Sequence, residues 1–422
     1  MAGPINASLL PDTAVLHDED VTVGDVSLRH LAREFGTPLF VYDEVTLRAR
    51  ARAAAEAFDD GVAFASKSFL CGAVARLVAE EGLCVDVATG GELDLVLRSG
   101  VAPSRVIVHG NNKSDEEVAR AVQVGVHRFV VDSFYDVERL RALASAQRPV
   151  HCLVRVTPGV EAHTHEFVRT GQEDSKFGLS LASGDARRAI DELRGLDGVE
   201  VHGVHAHIGS QIFGVEGFAE TIDILARFTA ADDFDELCVG GGLGVAYVDG
   251  EVAPSIDEWA HALRAALAQS SLSPSTRLLA EPGRAIVAQA ALTLYTVGTI
   301  KEVPQRTYVA VDGGMSDNPR PVLYGSGYEA FDVTRPRAPR PRPVRLVGKH
   351  CESGDVIIDA AWLPAATNSG DVIATPVTGA YGYSMASNYN RVPRPAVVFV
   401  RGGDAVEVLR RESYDDLARL ER

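Results

Sequence analysis

What this sequence lacks narrows it first. No run of eighteen apolar residues occurs anywhere in it, so no membrane-spanning helix is expected. The opening MAGPINASLLPDTAVLHDED has no basic end leading into an apolar stretch, so no secretory signal is expected either. Cysteines number only five, at positions 71, 84, 152, 238 and 351, and none forms a CxxC pair. So odd and scattered a set supports neither a disulfide framework nor a zinc site. Basic residues are in deficit, Lys+Arg 41 against Asp+Glu 58, for a formal net charge of −17. A surface that acidic repels nucleic acid and anionic membranes. The chain reads as cytoplasmic, with neither as a partner.

What is present is a rhythm. At 422 residues, 46% of them hydrophobic, the chain exceeds one average domain and two are expected. From about residue 40, short β-branched runs alternate with longer segments of helical period. The runs are VAFAS (62–66), CVDVAT (84–89), VIVHG (106–110), RFVVD (128–132), HCLVRV (151–156), VHGVHAHIG (201–209), ELCVGG (236–241) and RLLAEPG (277–283). Between them CGAVARLVAEEG (71–82) and SDEEVARAVQVG (114–125) read as helices. In the second, Ser114 and Glu117 have capping-box spacing, and Val118, Ala121 and Val122 make an apolar stripe. This repeat predicts a (β/α)8 α/β barrel over residues 41–284, with a doubly wound open sheet as the competing arrangement.

After residue 284 the rhythm breaks into short alternating stretches split by Gly, Pro and Asp, from ALTLYTVGTIKEV (291–303) to AVEVLRR (405–411). A C-terminal all-β domain over 285–422 is expected. Within it, RPRAPRPRPVR (335–345) reads as an exposed extended loop. Residues 1–40 hold one predicted helix, VSLRHLAREFG (26–36), and are expected to dock on the β-domain and complete it.

Barrels gather reactive groups at the carboxyl ends of their strands. Lys67 follows the first run, in AFASKSFL. So apolar a setting would strip its hydration and favour the neutral, nucleophilic amine, although a lysine there also reads as one snorkelling from a strand end. Asp86 to Gly91 follow the second run. His205 and His207, two apart in HAHIGSQ, are expected to share one strand face. They read equally as a satisfied barrel pair, and no metal is expected because no third ligand stands at a sensible spacing. Gly240, Gly241 and Gly242 follow the seventh run. Only residues without side chains let several amides converge on a phosphate, though such a run also makes a turn. Arg284, beside Gly283, offers a second anion contact. Glu281, a buried carboxylate, needs a partner, and Arg284 or a cofactor's protonated nitrogen are the candidates. A reactive amine, a phosphate cradle, a flat-ring neighbour and a carboxylate for a ring nitrogen are what pyridoxal phosphate requires.

CVDVATGGEL (84–93), HGNNKS (109–114), SKFG (175–178), HAHIGSQ (205–211), GGGLG (240–244), EPGR (281–284), HCESGD (350–355) and GAYGYSMASNYN (379–390) extend the pattern. Together they resemble the diaminopimelate decarboxylase family, in the alanine-racemase-like barrel group of pyridoxal-phosphate enzymes. The resemblance runs from PLFVYDE (38–44) to RVPRPAVVFV (391–400). HCESGD and ASNYN are its most specific parts; relatives acting on ornithine or arginine share some of the others. It implies pyridoxal 5'-phosphate held by Lys67 as the Schiff-base lysine, with His207 stacked on the ring and Glu281 partnering the pyridine nitrogen. Ser210, Gly240, Gly241, Gly242, Gly283 and Arg284 would surround the phosphate, with Asp86, Pro282 and Tyr381 also at the cofactor. Arg284, Arg320, Tyr324, Glu352 and Tyr381 match substrate-holding positions. Cys351 matches the proton donor, which in this family enters the neighbouring subunit's site, so a homodimer with shared active sites is implied. One departure is FASKS, where many relatives have a tyrosine before the lysine and an alanine after it.

The implied reaction converts meso-2,6-diaminopimelate to L-lysine and CO2, the last step of lysine biosynthesis. Arg320 and Arg284 would pin a carboxylate, and Glu352 would meet the distal ammonium. The alternatives are a decarboxylase of another basic amino acid or carboxylated polyamine, and a non-catalytic pyridoxal-phosphate-binding homologue. Segment 157–176 is polar and Gly-bearing, a composition that permits a mobile lid.

Overall fold

The structure, a computed structural model, describes residues 3–159 and 175–422. The segment expected as a lid falls mostly outside the described residues. The chain divides into two compact units, Met1–Ala49 with Val245–Val252 and Ile286–Arg422, and Arg50–Gly244 with Ala253–Ala285.

The second of these is a parallel barrel. Its strands are Ala63–Ala65 (β1), Cys84–Val87 (β2), Val106–Val108 (β3), Arg128–Val131 (β4), Val150–Thr157 (β5), Val199–His205 (β6), Glu236–Cys238 (β7) and Arg277–Leu279 (β8). They pair in chain order. A parallel bridge between Val62 and Ala280 joins β8 back to β1, with Ala63 N–H donating to Ala280 O and Ala280 N–H to Gly61 O, each at 2.9 Å. All the expected runs are strands, and this closure decides for the barrel over the open sheet. Closing the sheet removes both of its edges. The runs are largely apolar because one face is covered by helices while the other fills the interior, where Ala63, Ile107, Val130, Leu153, Cys238 and Leu279 pack together.

Local signals set the helices. Ser114 Oγ accepts from Glu117 N–H at 3.2 Å, and Glu117 accepts from Ser114 N–H at 2.8 Å. The helix Asp115–Val124 follows and stops at Gly125, whose φ of 70° is left-handed. At the amino end of the barrel, Arg128 donates to both oxygens of buried Glu236 at 2.8 and 2.7 Å, and Arg277 adds a bond of 3.1 Å.

The other unit is built on a mixed sheet in the order Val356–Leu363, Arg342–Val347, Arg306–Val311, Ala291–Val303, Leu39–Asp43, Ala396–Arg401, Asp404–Leu409. Leu39–Asp43 precedes the barrel in sequence yet lies inside this sheet, antiparallel to Ala291–Val303 and parallel to Ala396–Arg401. The predicted helix is present as Leu28–Phe35, capped by Ser27. The Pro/Arg-rich segment is not the exposed loop expected. Arg340 is buried and donates to Gly3 O, Ala330 O and Glu329, while Arg335 bonds Asp332 and Asp371. Guanidinium groups can pin irregular backbone because they donate in several directions.

Arg128→Met would leave Glu236 buried with only the more exposed Arg277 beside it. Breaking a buried pair from one side costs about 3–5 kcal/mol, and the surviving contact places the expected loss near the lower end. Thermal unfolding would show it as a clear fall in Tm; an unchanged Tm would contradict the assignment.

Candidate active site

The ends of β3, β6 and β8 converge on Glu281. Glu281 N–H donates to Gly240 O at 2.9 Å, which fixes the backbone just past β8. Its carboxylate meets His205 Nε2 at 3.0 Å on one oxygen and His109 Nε2 at 3.0 Å on the other. Cys238 Sγ lies 3.4 Å from the second oxygen. All four residues are buried. Arg284, one of the partners expected for Glu281, instead donates from Nη2 to Ser210 Oγ at 2.9 Å. Helix and strand geometry explain the exchange: Arg284 opens the short helix Arg284–Val287 and is carried away from the carboxylate.

The charges are set by competition. Burial pushes the Glu281 pKa upward, but the two imidazoles outweigh it and hold the group well below the ordinary carboxylate range. Burial also opposes the His109 imidazolium, yet Asp86, 3.7 Å away, and Glu281 win and raise its pKa. His205 goes the other way, because burial there exceeds the pull of Glu281. Its buried Nδ1 has no partner among the described residues, as suits a neutral ring donating from Nε2. Asp86 is pushed up to about 6, by burial and then by Glu281, with His109 and Lys67 opposing. Burial raises the Cys238 thiol far above its usual value, so it is no nucleophile.

Lys67 sits in a tight turn, Ser66–Ser68, directly after β1. Ser68 Oγ donates to Ala65 O at 2.9 Å, and Ala65 N–H donates to Pro282 O at 3.2 Å. Contrary to the expectation of a dehydrated amine, Lys67 is exposed while Ser66 and Ser68 are buried. The apolar neighbours in sequence point into the barrel wall and the turn presents the lysine to water. Its charge acts on both Asp86 and His207. Strand β6 ends at His205, so alternation does not carry through to His207, but Glu281 acts on both rings. His207 Nδ1 accepts from Gly241 N–H at 3.1 Å. Burial, then Lys67 and Arg155, drive its pKa far down. The result is a fixed, neutral ring with its hydrogen on Nε2.

The glycine run does less as an amide cradle than expected, and more as a packing device. A Cβ at Gly240 would stand 2.7 Å from Ala206 O and from His207 Nδ1; one at Gly241 would overlap Glu281 O, and one at Gly242 Gly209 O. Gly240 N–H is used by Cys238 Sγ and Gly241 N–H by His207. The amides of Gly242 and Gly283 have no acceptor among the described residues. A Cβ on Gly283 would press on Ala65 O and Ser68 Oγ, each at 2.9 Å.

Two residues of this cluster were not singled out by sequence reasoning. His109 lay in a quoted motif without a role; as the residue after β3, it was in the right place. Arg155 was the one charge inside the apolar run HCLVRV, and that was its signal. It is buried, 3.6 Å from Asp132, with its guanidinium 4.4 Å from the Phe177 ring centre. His109, His205 and Glu281 also bring three ligand-type atoms within 4.8 Å of one another, a group that takes only His205 from the HAH pair. Lys113 of HGNNKS is instead structural, buried and bonded to Asp136 and Gly110 O at 2.7 Å each.

The remaining expected residues belong to the other unit. Arg320 is buried, donates to Tyr328 Oη at 2.6 Å and lies 4.2 Å over the Tyr247 ring. Burial opposes its charge, but Tyr247 and Tyr328 outweigh burial and its pKa rises. It pairs with no carboxylate among the described residues. Tyr324 and Tyr381 are half-buried, the latter at a left-handed φ of 60°. Cys351 and Glu352 are exposed. Cys351 N–H donates to Asn390 Oδ1 at 3.2 Å, and His350 reaches Ser316 Oγ at 2.8 Å and Asn390 Oδ1 at 3.3 Å. Asp355 accepts from Met315 N–H at 2.7 Å and His350 N–H at 2.8 Å. The motifs HCESGD and ASNYN thus form one bonded assembly.

Asp86 generates a pH test. Its folded pKa exceeds the unfolded one, so its cost is absent below about pH 4 and grows until about pH 6. Asp86→Asn is therefore expected to stabilise the cofactor-free protein more at pH 7 than at pH 5, by about 1 kcal/mol. Unfolding curves at the two pH values would show it, and an equal or reversed difference would refute it.

A family model described as pyridoxal-dependent decarboxylase, pyridoxal binding domain, matches residues 44–288. Diaminopimelate decarboxylase of Mycobacterium tuberculosis is 48% identical over 422 residues, covering 95% of this chain and 94% of the relative. A crystal structure of diaminopimelate decarboxylase from M. jannaschii in complex with L-lysine covers 98% of both chains at 30% identity, with a TM-score of 0.90. Lysine/ornithine decarboxylase from Vibrio vulnificus, complexed with putrescine, covers 89% of this chain and 97% of its own at 25% identity and a TM-score of 0.77. No described helix is long and apolar enough to cross a membrane. The chain belongs to the diaminopimelate decarboxylase family of pyridoxal-dependent decarboxylases.

Proposed function

We propose that this chain decarboxylates meso-2,6-diaminopimelate to L-lysine and CO2, the last step of lysine biosynthesis, with pyridoxal 5'-phosphate as cofactor. The observation that supports it most is the charged Glu281 carboxylate, clamped by two imidazoles at the carboxyl end of a barrel that also presents the Lys67 amine. The donor set fits the cofactor: an amine for its aldehyde, a neutral flat ring in His207, and open amides at Gly242 and Gly283 beside Arg284 and Ser210 for its phosphate. When bound, the cofactor supplies an electron sink for the pair left behind as CO2 departs.

The residues divide the remaining work. Lys67 would hold the cofactor through its amine. Glu281, kept ionised, favours a proton on the ring nitrogen by charge pairing, and His109 and His205 hold its two oxygens in place. Arg320 is a buried guanidinium with no acid beside it among the described residues, a setting that favours a carboxylate ligand by charge-assisted hydrogen bonds. This favours a substrate that keeps a second carboxylate over lysine or ornithine. Glu352 is suited to the distal ammonium, and Cys351 to returning a proton to the α-carbon. Tyr324 and Tyr381 complete the substrate set. Exposure of Cys351 and Glu352 on a loop anchored by Asn390 and Asp355 supports a homodimer in which that loop enters the partner subunit's site. We propose a cytoplasmic location for the enzyme.

The decisive assay is incubation with meso-diaminopimelate and pyridoxal phosphate followed by lysine measurement, with L-lysine and L-ornithine as competing substrates. Faster turnover of either competitor would overturn the substrate assignment. Lys67→Ala is expected to abolish both turnover and the visible absorption of lysine-held cofactor. Cys351→Ala should retain that absorption and slow turnover about 10²–10⁴-fold, the range for a positioned acid. Mixing the two inactive variants should restore about a quarter of normal activity if sites are shared across a symmetric dimer; no recovery would refute the shared site.

A further inference from the structure

A second cluster of ligating side chains lies at the opposite, amino end of the barrel. His151, near the start of β5, and Glu200, near the start of β6, are register partners on adjacent parallel strands. The register then slips between Val201 and Gly203, leaving His202 as the extra residue of a bulge. Gly203 makes the bulge possible, since a Cβ there would overlap Glu236 O. Bulges of this kind re-aim side chains and occur beside functional sites.

The three side chains point at one another. His151 Nδ1 is 3.0 Å from His202 Nε2 and 3.2 Å from Glu200 Oε2, and His202 Nε2 is 3.7 Å from the same oxygen. Nitrogen and oxygen donors on a tetrahedral zinc ion, bound at about 2.0–2.1 Å, stand about 3.3 Å apart. The spacing here brackets that value. Behind the cluster, the other nitrogen of His202, Nδ1, meets Asp235 Oδ1 at 3.1 Å. A carboxylate on the far nitrogen of a ligating histidine fixes the ring and its tautomer, and it is a common support of metal-bound imidazole. Side-chain exposures of 34% for His151, 60% for Glu200 and 21% for His202 leave room for water as a fourth ligand.

We propose that His151, Glu200 and His202 form a surface site for a divalent transition cation, zinc(II) by donor type, with Asp235 as its outer support. Two imidazoles and one carboxylate suit zinc better than calcium or magnesium, which take oxygen. The ion ties β5 to β6 at the end of the barrel away from the catalytic residues. Without it, one of the two imidazoles must spend its N–H on the other; with it, both ring lone pairs and the carboxylate serve a single centre.

The test uses the holoenzyme, stripped with EDTA, dialysed and titrated with zinc chloride by calorimetry. One saturable equivalent per chain is expected, with a raised Tm in excess zinc. The double variant His151→Gln/His202→Gln should lose that equivalent, and Asp235→Asn should weaken it about tenfold. Decarboxylase turnover and circular dichroism should be unchanged in both. No zinc uptake by the wild-type holoenzyme at a hundredfold excess would overturn the proposal. So would uptake of equal affinity in the double variant, which would place the ion elsewhere.

Discussion

The barrel site depends on one carboxylate being charged where burial opposes charge. Full burial can raise a carboxyl pKa by about 3–5 units, roughly 4–7 kcal/mol against the ion. One imidazolium about 4 Å away returns about 4 kcal/mol at an effective dielectric near 20. A hydrogen bond to a charged group adds about 1.5–3 kcal/mol. Neither alone covers the penalty, whereas the sum does. That is the physical reason for two histidines on Glu281, one raised in pKa and the other depressed. Asp86 completes the balance at the same His109 nitrogen, Nε2, 3.7 Å away.

Such a clamp constrains the fold. His109, His205 and Glu281 stand at the carboxyl ends of β3, β6 and β8, and only a closed barrel brings those ends to one point. The glycines belong to the same constraint. Gly241 has no space for a Cβ because the Glu281 backbone occupies it, and Glu281 N–H is bonded to Gly240 O. GGGLG and EPGR are therefore two halves of one contact. On the neighbouring side, Gly283 is pressed against Ala65 and Ser68, the residues that flank Lys67. Amine and carboxylate are positioned by one continuous stretch of close-packed backbone.

This explains what could and could not be read from the chain. Strands such as VIV at 106–108 were legible because burial on both faces leaves an unbroken apolar run. The capping box at Ser114 was legible because it is local. The partner of Glu281 was not, since which strand ends meet inside a barrel depends on tilt and stagger, and neighbours in sequence such as Arg284 mislead. The setting of Lys67, though not its place after β1, was illegible for a related reason: its apolar neighbours describe the strand and turn around it, whereas the lysine itself is exposed in the turn Ser66–Ser68. The arginines of 335–345 looked solvated because composition records charge and not partners; Glu329 and Asp332 stand just upstream of the segment, and Asp371 follows it at a distance.

The two units hold different kinds of information. On the proposed reading, the amine, carboxylate, neutral imidazole and phosphate contacts would serve any amino acid joined to the same cofactor, and all of these groups belong to the barrel. On the same proposed reading, choice among amino acids falls to Arg320, Glu352 and the assembly of HCESGD with Asn390. Cys351 gives that division its sharpest form. Its backbone is anchored by Asn390 while its thiol stands exposed, and an exposed thiol exchanges its proton with water instead of delivering it to one carbon. As a proton donor it needs a second surface to exclude that water, and its own loop offers none. On the proposed reading the second surface is another copy of the chain, so that dimerisation does not merely double the enzyme but finishes its acid.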